Sequence, residues 1–93
     1  MADVIQNIEH NRFELVIDGQ VAAFTQYVMQ DYTIDFVHTE VDPNREERGL
    51  GSELVEAALT DVRDRTTYRV QADCPFVAHW LGKHPDYQSL LTR

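Results

Sequence analysis

Between Val41 and Leu50 the spacing of apolar residues changes period, and that change decides what the chain can fold into. Upstream, Phe13, Leu15 and Ile17 recur at every second position, the spacing of a strand with one face turned to a core. Downstream, Leu50, Leu54, Ala58 and Val62 recur at helical spacing, with Val55, Ala57 and Leu59 beside them. The fold class is therefore α+β, a mixed α/β arrangement. An antiparallel three-stranded meander is followed by a helix, a fourth strand parallel to the third, and one or two short C-terminal helices.

Turn residues place the strand ends. Asp18-Gly19 is the dipeptide of a tight hairpin, because glycine tolerates positive φ, and two antiparallel strands are expected around it. The second runs over roughly Val21 to Met29. After Gln30-Asp31 the third spans Tyr32 to Val41, with Ile34, Phe36 and His38 expected on one face and Thr33, Asp35, Val37 and Thr39 on the other. Asp42-Pro43-Asn44 ends it, since proline cannot donate to a ladder. The long helix is expected to run to about Arg65, with Glu53, Glu56, Asp61 and Arg63 on its solvent side. Thr66 to Ala72 has the β-branched and aromatic content of the fourth strand. Pro75 fits the first turn of a helix with Phe76, Val77, Trp80 and Leu81 as its apolar face, ending near Gly82. Tyr87 to Leu91 suggests a last helical turn.

With 93 residues the chain is expected to form a single domain over 1–93. Sixteen acidic against eight basic side chains give a net charge of −8, a field that repels phosphate backbones, so no nucleic-acid partner is expected. The same field either attracts cationic molecules such as amines or serves only solubility. Cys74 is the sole cysteine, which excludes an internal disulfide, and the Met1-Ala2-Asp3 start leads into no basic and apolar leader. A cytoplasmic location is the resulting expectation. No apolar run approaches the ~20 residues of a membrane span, so no membrane partner is expected.

The segment Arg45-Glu46-Glu47-Arg48-Gly49-Leu50-Gly51-Ser52 sits where a strand hands over to a helix. Glycines at 49 and 51 let a backbone approach an anion, and the first free N–H groups of the helix point at bound oxygens. Arg45 and Arg48 add local positive charge. The alternative reading is a plain tight turn whose helix is capped by Ser52 or Asn44.

Three segments carry a resemblance to a known family: His38-Thr39-Glu40-Val41, Glu47-Arg48-Gly49-Leu50-Gly51-Ser52-Glu53-Leu54-Val55, and Cys74-Pro75-Phe76-Val77 with His84-Pro85-Asp86-Tyr87. In this order they resemble the GNAT acetyltransferases, and most closely the small members that keep the acetyl-coenzyme-A half and little else. The resemblance implies a GNAT-like fold, acetyl-CoA as cosubstrate bound at Val41 and Arg45 to Ser52, and an amine acceptor, of unknown identity and possibly cationic. One departure stands out: the GNAT loop begins with Gln or Arg, and Glu46 occupies that place here.

Acyl transfer to an amine needs a proton acceptor, donors for the oxyanion and a means of stabilising the leaving thiolate. Glu40 either takes the amine proton or is an ordinary solvated carboxylate. His38 suits the same role by its imidazole chemistry, or is a packed structural residue beside Ile34 and Phe36. By resemblance, the Val41 N–H would hold the acetyl carbonyl. Cys74, at the start of a helix where the dipole favours an anion, is a nucleophile or a small buried hydrophobe; the resemblance places it near the reactive end of the cofactor and implies an acyl-cysteine or a proton donor to the leaving thiolate. His10, His79 and His84 have no metal-ligand spacing among themselves or with Cys74, so no metal is expected. Trp80, Phe76 and Tyr87 read as packing residues.

Three functions are compatible with these residues: an N-acetyltransferase, an acyl-CoA-binding module without efficient turnover, and a non-catalytic interaction domain for which Glu46 is the best argument. The chain is short for walling an acceptor site, which a dimer or a protein partner would complete; the expected state is a monomer or a weak homodimer.

Overall fold

The computed structural model describes residues 2–93. A five-stranded sheet in the order β1-β2-β3-β4-β5 packs its inner face against the helices. β1 (Ala2–Asn7) leads through a 3-10 turn (Ile8–His10) into β2 (Arg12–Ile17), β3 (Gln20–Gln30) and β4 (Thr33–Val41), all antiparallel neighbours. After α1 (Leu50–Arg65) the chain returns as β5 (Arg69–Ala72), parallel to β4, and closes with α2 (Pro75–Gly82) and a 3-10 helix (Pro85–Thr92).

The expected meander has one strand more than the sequence reading gave it. Residues 2–7 form the edge strand β1, with Val4 opposite Leu15 and Ile5 opposite Glu14. Its only apolar positions against the core are Ala2 and Val4, too short an alternation to stand out as a strand. Both hairpin turns follow local chemistry. Asp18 and Gly19 have φ of 51° and 78°, the doubly left-handed turn that matches strand twist, and Asp31 at φ 56° turns β3 into β4.

Phe13, Leu15, Ala23, Tyr27, Ile34, Phe36 and Val70 are buried with Leu54, Val55, Ala58, Leu59 and Val62 of α1. Each fully buried aliphatic side chain in this layer contributes about 2 kcal/mol, and truncating Leu54 to alanine is expected to cost about 3 kcal/mol. The C-terminal segment is pinned to this layer by stacking of His84 on Trp80 at 3.7 Å and by the Tyr87 hydroxyl, 2.7 Å from that of Thr60 on α1. Arg93 donates to the carbonyls of Val62, Arg63, Thr66 and Tyr68, closing the C-terminus of α1.

The opposite sheet face carries exposed Ile5 and Val28, the half-buried Phe24, and the buried Glu14. Burial pushes the Glu14 carboxyl up, but hydrogen bonds from Arg12 at 2.7 Å and Asn7 at 3.0 Å outweigh it and hold the group below its ordinary range.

A candidate coenzyme cleft between diverging strands

β4 is longer than its parallel neighbour, and the site begins where they part. Pairing runs from Thr33 with Arg69 to Phe36 with Ala72, and the last bond is from the Cys74 N–H to the Phe36 carbonyl at 2.8 Å. Pro75 then starts α2, turning the chain away, while β4 continues to Val41 along β3. The Asp42 N–H donates to Ala22 at 2.8 Å, which sets the ladder parity: Glu40 and His38 bond toward β3. The N–H groups of Thr39 and Val41 therefore face the side that β5 has left.

A bulge sets the side chains there. Gln26 opposes His38 and Tyr27 opposes Phe36, so Val37 is an extra residue on β4. Alternation then reverses. Ile34 and Phe36 point into the core as expected, but His38 does not join them; its side chain is 55% exposed on the open face. Thr39, expected on the opposite face from Ile34, turns inward instead. The expectation of a packed histidine fails because it assumed unbroken alternation through Val37.

The three catalytic candidates consequently lie on two sides of the sheet. On the open face, His38 Nε2 is 3.3 Å from Glu40 Oε1, and the Phe24 ring lies 5.9 Å from the imidazole. A hollow of about 280 Å³ opens beside Glu40, walled by Arg12, Ala23, Phe24, Asp42 and Pro43. On the inner face, Cys74 is only 4% exposed and its thiol donates to Thr39 Oγ1 at 3.4 Å. Thr39 in turn lies 2.9 Å from the hydroxyl of Thr25, which is fully buried. Among the described residues, Cys74 thus has a hydroxyl partner and no basic one. Thr25 and Thr39 escaped the sequence reading because only the bulge turns Thr39 toward the thiol.

The loop 42–49 delivers the start of α1 to the same cleft. Gly49 has φ 78° with nothing within 4 Å of where a side chain would begin, so its glycine serves the backbone turn. Neither Ser52 nor Asn44 caps the helix; Asn44 instead donates its backbone N–H to Asp42, and no side chain bonds the helix start. The first intrahelical bond is Glu53 N–H to Gly49, which leaves the N–H groups of Leu50, Gly51 and Ser52 without helical acceptors. Leu50 is itself a core residue, so it offers the cleft only its backbone.

Among the loop charges, Arg45 pairs with Glu47 at 3.2 Å, while Glu46 and Arg48 are exposed. Hydrogen bonds from its own N–H, from Arg45 and from the Glu46 N–H hold the Glu47 carboxyl below its ordinary range. The loop therefore places one guanidinium donor on an anionic group. Among the described residues, no group of three or more His, Cys, Asp or Glu side chains is placed to hold a metal ion.

The sequence pattern of the GCN5-related N-acetyl-transferases matches residues 12–90, from the first residue of β2 into the final 3-10 helix. No curated protein matches the chain. The matched span contains the diverging strands, the glycine loop and the Cys74 turn, and family membership implies acetyl-CoA as acyl donor. This chain belongs to the GCN5-related N-acetyltransferase family.

Proposed function

We propose that the protein is an N-acetyltransferase that passes an acetyl group from acetyl-CoA to a small cationic amine across the opening between β4 and β5. The observation that carries this reading is the divergence itself: free backbone donors of Thr39 and Val41 lie beside the uncapped start of α1, with titratable groups on both faces of the sheet. The thioester supplies the activated acetyl group. The backbone N–H groups of residues 49–52, with Arg45 and Arg48, hold its pyrophosphate, and the Val41 N–H holds the acetyl carbonyl. Glu46 points to solvent, so its carboxylate does not compete for the cradle.

The acceptor enters from the open face by the hollow beside Glu40, where Glu40 and Asp42 favour an ammonium, the charge of the lining Arg12 being paired with Glu14, and Pro43 covers a short apolar arm. The His38–Glu40 pair takes the proton, and the freed amine attacks the carbonyl. Cys74 serves the departing thiolate as proton donor rather than as nucleophile. A nucleophilic thiol needs a base beside it, and the hydrogen-bond partner of Cys74 is the Thr39 hydroxyl.

Titrating labelled protein with acetyl-CoA should move the amides of Val41 and Arg45 to Ser52; no movement at millimolar ligand would sink the reading. With a panel of small diamines and monoamines, Cys74→Ala should lower turnover about 100-fold. Intact mass after incubation with acetyl-CoA alone should show no adduct. An acetyl group on Cys74 would replace direct transfer with an acyl-enzyme.

A further inference from the structure

The two glycines of the loop do different jobs, and the second points to a residue that neither the loop nor the catalytic candidates explain. Gly49 needs its positive φ; Gly51 has no such need, being an ordinary helical residue in the first turn of α1. What Gly51 lacks room for is a side chain. A Cβ there would lie 2.8 Å from Cζ of Phe76, 3.2 Å from Cε2 and 3.5 Å from Cε1. The distal edge of the Phe76 ring is seated on the Gly51 backbone.

Phe76 is not a core residue. Its neighbours on α2, Val77, Trp80 and Leu81, are buried, whereas Phe76 is 41% exposed. The expectation that it shares their apolar face fails because the start of α1 lies across from it. The ring projects from the first turn of α2, two residues after Cys74, onto the first turn of α1. It thereby bridges the first turns of the two helices, lying over the start of α1 from a helix that begins just after Cys74.

We infer that Phe76 is a specificity-determining wall of the cofactor channel, along which the pantetheine arm of coenzyme A runs from the phosphate cradle to Cys74. This rests on the acetyl-CoA reading above. A slender chain of amides and methylenes suits an exposed aromatic face, which gives apolar contact while leaving the amides free to bond the edge of β4. Gly51 is then glycine so that the ring can lie low enough to leave the channel open.

The test compares two probes by calorimetry: coenzyme A, and adenosine 3′,5′-bisphosphate, which carries the nucleotide phosphates without the arm. Phe76→Ala should weaken coenzyme A about tenfold and leave the bisphosphate unchanged. Gly51→Ala, which lifts the ring, should weaken coenzyme A in the wild-type background and not in Phe76→Ala. Equal loss of both probes in Phe76→Ala would assign the ring to the cradle and overturn the proposal, as would unchanged affinity for both. If wild-type protein binds neither probe, the acetyl-CoA reading itself fails and this inference with it. Binding of coenzyme A by the wild type with no effect of either substitution overturns the inference alone.

Discussion

The hydroxyls of Thr25 and Thr39 face each other at 2.9 Å in a non-hydrogen-bonded pair of β3 and β4, and the second of them accepts the Cys74 thiol proton. Thr25 is fully buried, so its hydroxyl has water neither to donate to nor to accept from. Thr39→Val keeps the shape and removes the partner. It should cost about 1–3 kcal/mol in urea unfolding, and Thr39→Ser, which keeps the oxygen, less than about 1 kcal/mol. Equal costs for the two would show that packing, not the hydroxyl, matters there.

Val37 places His38 outside and Thr39 inside by being supernumerary. Deleting it restores regular pairing and leaves His38 and Glu40 outside and Thr39 inside, because His38 then follows the inward Phe36 directly. Such a deletion should therefore keep a cooperative unfolding transition at 25 °C. Val37→Ala, at an exposed side chain, should cost under about 1 kcal/mol. Loss of cooperative folding in the deletion variant would refute the reading of Val37 as a supernumerary residue.

Glu47 engages a donor that the pyrophosphate would otherwise claim, the guanidinium of Arg45 at 3.2 Å, and the nearby backbone N–H groups help to lower its carboxyl. Glu47→Gln should tighten acetyl-CoA binding about threefold at pH 7. Because those donors lower its pKa, the wild-type carboxylate stays ionised well into acid. The difference between variant and wild type should persist down to that pH and vanish below it. Calorimetry across this range, with constant ionic strength, separates the effect from general screening.

Asp35 and Asp73 meet on the open face, joined by Gln71 and by the Asp73 N–H, which donates to Asp35 at 3.2 Å. Partial burial first, and then the Asp73 carboxylate, push the Asp35 carboxyl above its ordinary range. A raised carboxyl adds stability while protonated and loses it as pH rises through its folded-state value. Asp73→Asn removes the like charge and keeps the backbone donor, so it should gain about 0.5 kcal/mol at pH 7. The gain should disappear in acid once the raised Asp35 carboxyl of the wild type is protonated. Denaturant midpoints at the two pH values check both halves of the claim.

Much of this architecture was legible because local rules and the tertiary fold agree. Asp18-Gly19 made its turn, Pro75 opened α2, and Leu50, Leu54, Ala58 and Val62 lie on the buried face of α1. β1 was missed because an edge strand packs on one side only and Ala2 and Val4 alone carry its inward pattern. The loop at 45–52 was legible as a strand-to-helix handover, though its helix start has no side-chain cap where Ser52 or Asn44 had been the alternative.

The sequence by itself determined the change of period at Val41 to Leu50, the turn chemistry and the glycine loop, because these depend on residues adjacent in the chain. Only the tertiary structure decided which face each side chain occupies beyond Val37, and that Gly51 is a seat for Phe76. A bulge is a relation between β3 and β4, and a missing Cβ matters only when another helix arrives above it. Neither relation is written in the spacing of one strand or one loop.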